Sequence, residues 1–132
     1  MTLLALDHVN IRTARLAEMT RFYEEVMGLP KGPRPPFAFG GSWLYCGVQA
    51  AIHLVEVGET PKWVPGAIEH FAFRAEGLAE FLARLRARNI AYRISIVPKL
   101  DLRQINFHDP DGNHIHVDFA ADEEADLSNF AG

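Results

Sequence analysis

The chemistry this sequence offers is carried by histidines, and four of its six histidines fall in a repeated pattern. Asp7-His8-Val9-Asn10-Ile11-Arg12 returns as Glu69-His70-Phe71-Ala72-Phe73-Arg74, which is acid, histidine, apolar, small, apolar, arginine each time. Ile52-His53-Leu54 returns as Ile115-His116-Val117 at nearly the same offset. Self-similarity at a fixed period marks one structural unit used twice. A lone histidine beside an apolar run is more often a hydrogen-bonded structural residue, but the repeat selects His8, His53, His70 and His116 together. Neutral imidazoles bind zinc, nickel, cobalt, copper and iron well and leave the ion's charge in place. With one coordination position open, such an ion acts as a Lewis acid on a substrate oxygen.

The elements that must position these residues can be read from periodicity. The turn signal Asp109-Pro110-Asp111-Gly112-Asn113 separates two alternating runs and reads as a hairpin. After it, Ile115, Val117 and Phe119 alternate with His114, His116 and Asp118, so one face of a strand is apolar and the other carries imidazoles and a carboxylate. At the other end, residues 4–12 read as a strand with Leu4, Leu6, His8 and Asn10 on one face. Thr13 is the expected N-cap of a helix whose apolar stripe is Leu16, Met19, Phe22, Tyr23 and Val26. Gly28 and Pro30 stop it. Residues 31–36, rich in Pro and Gly, read as irregular, and strands follow over 43–46 and 50–57. The second half repeats the plan, with a strand over 68–75 and a helix over 78–89 that turns Leu78, Phe81, Leu82 and Leu85 inward. Strands over 91–97 and 102–108 follow, joined by a turn at 98–100. Module 1 thus covers about 3–57, a linker 58–66, module 2 about 67–120, and an acidic tail with room for a short helix 121–132. In the linker, Trp63 reads as an anchor.

The length suits one domain with a real core. A net charge of −4 and the lack of a basic cluster argue against nucleic acid as a partner. No apolar run approaches membrane-spanning length, and no secretory leader is apparent. A single cysteine, Cys46, rules out an internal disulfide and suits a reducing cytoplasm. Its apolar and aromatic neighbours suggest a buried, inert thiol.

The paired plan and the phrases Leu6-Asp7-His8-Val9, Arg21-Phe22-Tyr23-Glu24-Glu25-Val26-Met27-Gly28-Leu29 and Phe107-His108-Asp109-Pro110-Asp111-Gly112-Asn113 resemble the vicinal oxygen chelate superfamily over about residues 3–120. That group includes glyoxalase I, extradiol dioxygenases, fosfomycin-resistance enzymes and bleomycin-binding proteins. The resemblance implies an α+β fold of two βαβββ modules forming a curved eight-stranded cup, commonly as a homodimer, with a small molecule as its partner. It also implies a divalent metal (zinc, nickel, cobalt, manganese or iron) held by the first and last strand of each module. His8, His53, His70 and His116 match those positions. His116 stands where the family usually has Glu, so the carboxylate base of glyoxalase I and the two-His-one-carboxylate set of the dioxygenases do not carry over. The leading expectation is a metal-dependent lyase or isomerase acting on a small oxygen-rich substrate that chelates the ion. The alternatives are a non-catalytic sequestration protein of the bleomycin-resistance type and extradiol ring cleavage. Asn10, Tyr45 and Arg103 are expected substrate contacts, with Tyr92 and Gln104 behind them; a guanidinium at Arg103 would suit an oxyanion. His114 reads as a rim residue and His108 as structural.

Overall fold

The computed structural model describes residues 1–2, 4–62, 68–97 and 100–132. Trp63, the end of the linker and the start of the Pro98 turn lie outside the described residues. The chain is α+β, built from two βαβββ modules within two compact units, Met1–Trp63 and Val64–Gly132.

The first module runs β1 (Val9–Thr13), α1 (Leu16–Glu25), β2 (Lys31–Gly32), β3 (Gly41–Cys46) and β4 (Gln49–Glu56). Its sheet order is β1-β4-β3-β2, with β1 parallel to β4 and the other pairs antiparallel. The second module repeats this as β5 (His70–Arg74), α2 (Leu78–Ala87), β6 (Arg93–Val97), β7 (Leu102–His108) and β8 (His114–Ala120), in the order β5-β8-β7-β6. A parallel first-to-last pairing needs a long crossover, which the helix and the two middle strands supply.

Each sheet buries one face beneath its helix. In the first module α1 packs on β3 and β4, where Leu44, Ile52 and Leu54 are essentially inaccessible beside Met19 and Tyr23. In the second, Phe81 meets Phe107 and Phe119 at centroid distances of 5.6 and 5.7 Å. Leu78, Phe81, Leu82 and Leu85 are all buried, as the helical stripe predicts. Each fully buried side chain of this size contributes roughly 1.5–3 kcal/mol. Because strand side chains alternate, the histidines of β4 and β8 fall on the face away from the helices.

Several expectations need correction. The first strand begins at Val9, not residue 4. Its ladder on β4 runs from Val9↔Ile52 to Thr13↔Glu56, and upstream Leu4 and Leu6 are exposed. Thr13 does not cap α1: its hydroxyl accepts from the Arg15 amide at 2.9 Å in a turn before the helix. Lys31–Gly32 inside the Pro-rich stretch does form a strand, against Trp43 and Leu44, because proline is tolerated beside an edge. Cys46 is exposed, since it ends β3 at the hairpin.

The tail is not helical. It is pinned across the second module by Phe130, which bridges to Tyr92, and by Asp126, which pairs with Arg86 at 3.1 Å. Glu123 accepts from the Gly77 and Leu78 amides at 2.8 and 2.7 Å, and so satisfies free donors at the α2 N-terminus from 45 residues away. Glu123→Ala is expected to lower stability by about 0.5–2 kcal/mol, the range for losing an N-terminal cap. A urea midpoint that does not move would show that the tail carboxylate caps nothing in solution.

Candidate metal centre

In the first unit the two expected histidines come together. His8 directly precedes β1, and Asn10 lies opposite His53 in the β1–β4 register. The His8 and His53 rings stack with centroids 3.8 Å apart and planes 13° apart. Trp43 covers the other face of His53 at 4.0 Å. The segment before β1 is held by Gln49, whose side-chain amide donates to the Leu6 carbonyl at 3.1 Å and to that of Asp7. Burial first, and then the neighbouring His8, push the His53 pKa below its usual value, only partly opposed by a backbone hydrogen bond to Ala50. A neutral imidazole is the form that binds a metal.

The second unit also joins its pair, and adds to it. His70 and His116 have ring centroids 4.7 Å apart. Parallel pairing of β5 with β8 sets His70 opposite His114 and Ala72 opposite His116. The His70 and His114 rings are 5.3 Å apart, and His108 stacks on His114 at 5.4 Å. The Glu69 carboxylate meets both His70 and His114. Those hydrogen bonds, His70 first, hold its carboxyl below the ordinary range. Glu69, His70 and His114 each offer a ligand atom within 4.8 Å of the other two.

Three of the four histidines share one feature. His8 Nδ1 meets Asp7 Oδ2 at 2.6 Å, His116 Nδ1 meets Asp118 Oδ1 at 2.8 Å, and His70 Nδ1 meets Glu69 Oε2. An ionised carboxylate only accepts, so each Nδ1 carries the proton, and in a neutral ring the lone pair is then on Nε2. A carboxylate behind the ring is the usual partner of a metal-ligating histidine, fixing its orientation and raising its basicity. His116 is 7% exposed, so its ring has little freedom to turn away.

The expected substrate contacts fare unevenly. Asn10 lies opposite His53, the ring on which His8 stacks. Tyr45 lies on the face of Trp43, but its hydroxyl donates to the Pro33 carbonyl at 2.6 Å, so its proton is engaged in holding the β2 edge. Arg103 pairs with Phe119, whereas Gln104 pairs with Asp118 and Asn106 with His116. Directly paired residues share a face, so Arg103 lies on the helix side, where its guanidinium donates to the Glu123 carbonyl. Gln104 is on the histidine side. Tyr92 is buried against Phe130 and belongs to neither. His114, read as a rim residue, is the histidine that sequence reasoning undervalued; its place opposite His70 follows from strand register, which no motif displays.

The glyoxalase/bleomycin resistance protein/dioxygenase superfamily model matches residues 5–117. No curated protein matches the sequence. Among solved structures, one assigned to the glyoxalase family from Bacillus anthracis is 25% identical, with a TM-score of 0.71, covering 91% of this chain and 98% of that one. A lactoylglutathione lyase from Agrobacterium tumefaciens shares the fold at 21% identity and TM-score 0.67, covering 89% and 95%. An antibiotic-binding protein from Streptomyces does so at 23% and 0.68, covering 91% and 98%. No helix among the described residues is long and apolar enough to cross a membrane. With the family model spanning both modules, this chain belongs to the glyoxalase/bleomycin resistance protein/dioxygenase superfamily.

Proposed function

We propose that the chain is a metal-dependent glyoxalase-like enzyme of the lyase or isomerase class, with His8, His53, His70 and His116 as its divalent-metal ligands. The observation that carries this reading is the carboxylate behind three of the four rings, which in the neutral ring leaves Nε2 as the ligand atom. The substrate is a small molecule whose adjacent oxygens chelate the ion. When bound, the ion supplies Lewis acidity toward those oxygens. Asp7, Glu69 and Asp118 keep the Nδ1 protons and aim the rings, while Trp43 braces His53. Asn10, opposite His53 in the strand register, would donate to or accept from a bound ligand.

Protein purified without a nickel column and reconstituted with zinc, nickel, cobalt, manganese or ferrous iron should take up metal stoichiometrically. Oxygen-independent turnover of a vicinal oxygen substrate should follow the metal content. Stoichiometric uptake that never occurs overturns the reading. Oxygen consumption with catechols would replace it with ring cleavage. His116→Glu tests the departure from the family. Carboxylate is the harder ligand, so selectivity should move toward manganese or iron. The new carboxylate would also face Asp118, and like charges repel, so the metal-free variant should be less stable and regain stability with metal. Unchanged selectivity in a competition series would remove residue 116 from the ligand set.

A second reading has its own observation. Phe37 and Phe39 are about half exposed and stacked at 5.1 Å. The Arg34 guanidinium lies 4.9 and 5.0 Å from their centroids, and Trp43 is 6.4 Å from Phe37. Such a shelf suits a planar aromatic ligand, as sequestration would require. Binding of an aromatic antibiotic by metal-free protein, without turnover, would favour it.

A further inference from the structure

We propose that the second unit carries a divalent transition-metal site of its own, formed by the Glu69 carboxylate and the imidazoles of His70 and His114. It requires neither His8 nor His53, and so does not depend on the four-histidine reading.

Both ring nitrogens of His114 are engaged. Asn106 Oδ1 lies 3.0 Å from His114 Nε2. The orientation of that amide is fixed by its other end, because Nδ2 donates to the carbonyls of Gln104 and Arg93 at 3.2 and 3.4 Å. A flipped amide would set oxygen against oxygen. Asn106 therefore presents an acceptor to His114 Nε2. The other ring nitrogen, Nδ1, is turned to Glu69 Oε1, 2.9 Å away.

Position and donor chemistry suit a metal ion. His70 completes the set, with all three ligand atoms within 4.8 Å of one another. Two imidazoles and one carboxylate suit first-row divalent ions such as zinc, cobalt, nickel and iron. His114 would bind through Nδ1 with Asn106 holding its Nε2–H, the outer partner that metal-bound histidines require. His70 belongs to both ligand sets, so the two sites compete for it.

The test is cobalt(II) titration of the full-length His8→Ala/His53→Ala chain, followed by d–d absorption and by competition with a chromophoric chelator, with circular dichroism as the check on folding. About one cobalt should bind per chain, and adding His114→Ala or Glu69→Gln should weaken it by about 10- to 100-fold. If the double variant does not fold, His53→Ala alone serves as the background. Absence of cobalt binding in the folded background overturns the proposal. Binding that is indifferent to His114→Ala also overturns it, since the ion would then rest on His70 and His116. The four-histidine reading fails separately, if His8→Ala and His53→Ala leave the affinity of the otherwise unaltered chain unchanged.

Discussion

His70→Ala is expected to reduce affinity for zinc or cobalt(II) by at least 10- to 100-fold, a larger loss than any other single histidine should cause. His70 is the one imidazole common to the family ligand set and to the cluster with Glu69 and His114. Its removal deletes a ligand from both and leaves Glu69 with only His114 as an imidazole neighbour. The fold should survive, because the His70 side chain is 43% exposed and β5 remains paired to β8 through backbone bonds. Equilibrium dialysis against zinc, alongside a thermal melt, separates the two effects. His108→Ala is the matched control: that ring stacks on His114 at 5.4 Å but enters neither ligand set, so its loss should leave affinity within a few-fold. Equal losses from the two substitutions would mean that the imidazole cluster attracts cations without coordinating them.

Much of this arrangement was legible in the sequence, for a simple physical reason. A strand has a period of two, so alternation in Ile115-His116-Val117 assigns the histidine to the face away from the helix without reference to any other strand. The repeat then supplied the partners, and each unit joins its own pair, His8 with His53 and His70 with His116. The inward face of α2 was equally plain, because Leu78, Phe81, Leu82 and Leu85 recur at helical spacing.

What depends on register was not legible. Whether Arg103 or Gln104 faces the histidines turns on which residue of β7 stands opposite His116, and one step of register exchanges the faces. His114 gains its importance from lying opposite His70 across a parallel pair joined through a long crossover. The carboxylates of Asp7, Glu69 and Asp118 were visible as neighbours in sequence, but their bonding to Nδ1 depends on side-chain rotation. Cys46 misled because its apolar neighbours say nothing of its place at the exposed end of a hairpin.

Asp109→Ala is expected to be among the most destabilising single changes outside the apolar core, at about 3 kcal/mol. Asp109 is 5% exposed and organises the turn between β7 and β8. Its Oδ1 accepts from the amides of Asp111 and Asn113 at 3.0 and 2.9 Å. Its Oδ2 accepts from the Asn113 side chain at 2.8 Å, and its own amide donates to the Asn113 carbonyl at 3.1 Å. Gly112 closes the turn at a φ of +84°, a conformation that costs glycine little. Each hydrogen bond to an ionised acceptor is worth roughly 1.5–3 kcal/mol, but bonds sharing one carboxylate do not sum, so the total stays near the upper end of a single bond. Asp109→Asn should cost less, because one oxygen remains to accept from the turn amides. Since β8 starts at His114, immediately after this turn, loosening it should raise amide exchange along residues 114–118. It should also weaken metal binding at His114 and His116 without touching either ring. A urea midpoint for Asp109→Ala equal to that of the unaltered protein would mean that cross-strand pairing alone sets the register of β8, and that the carboxylate adds nothing to it.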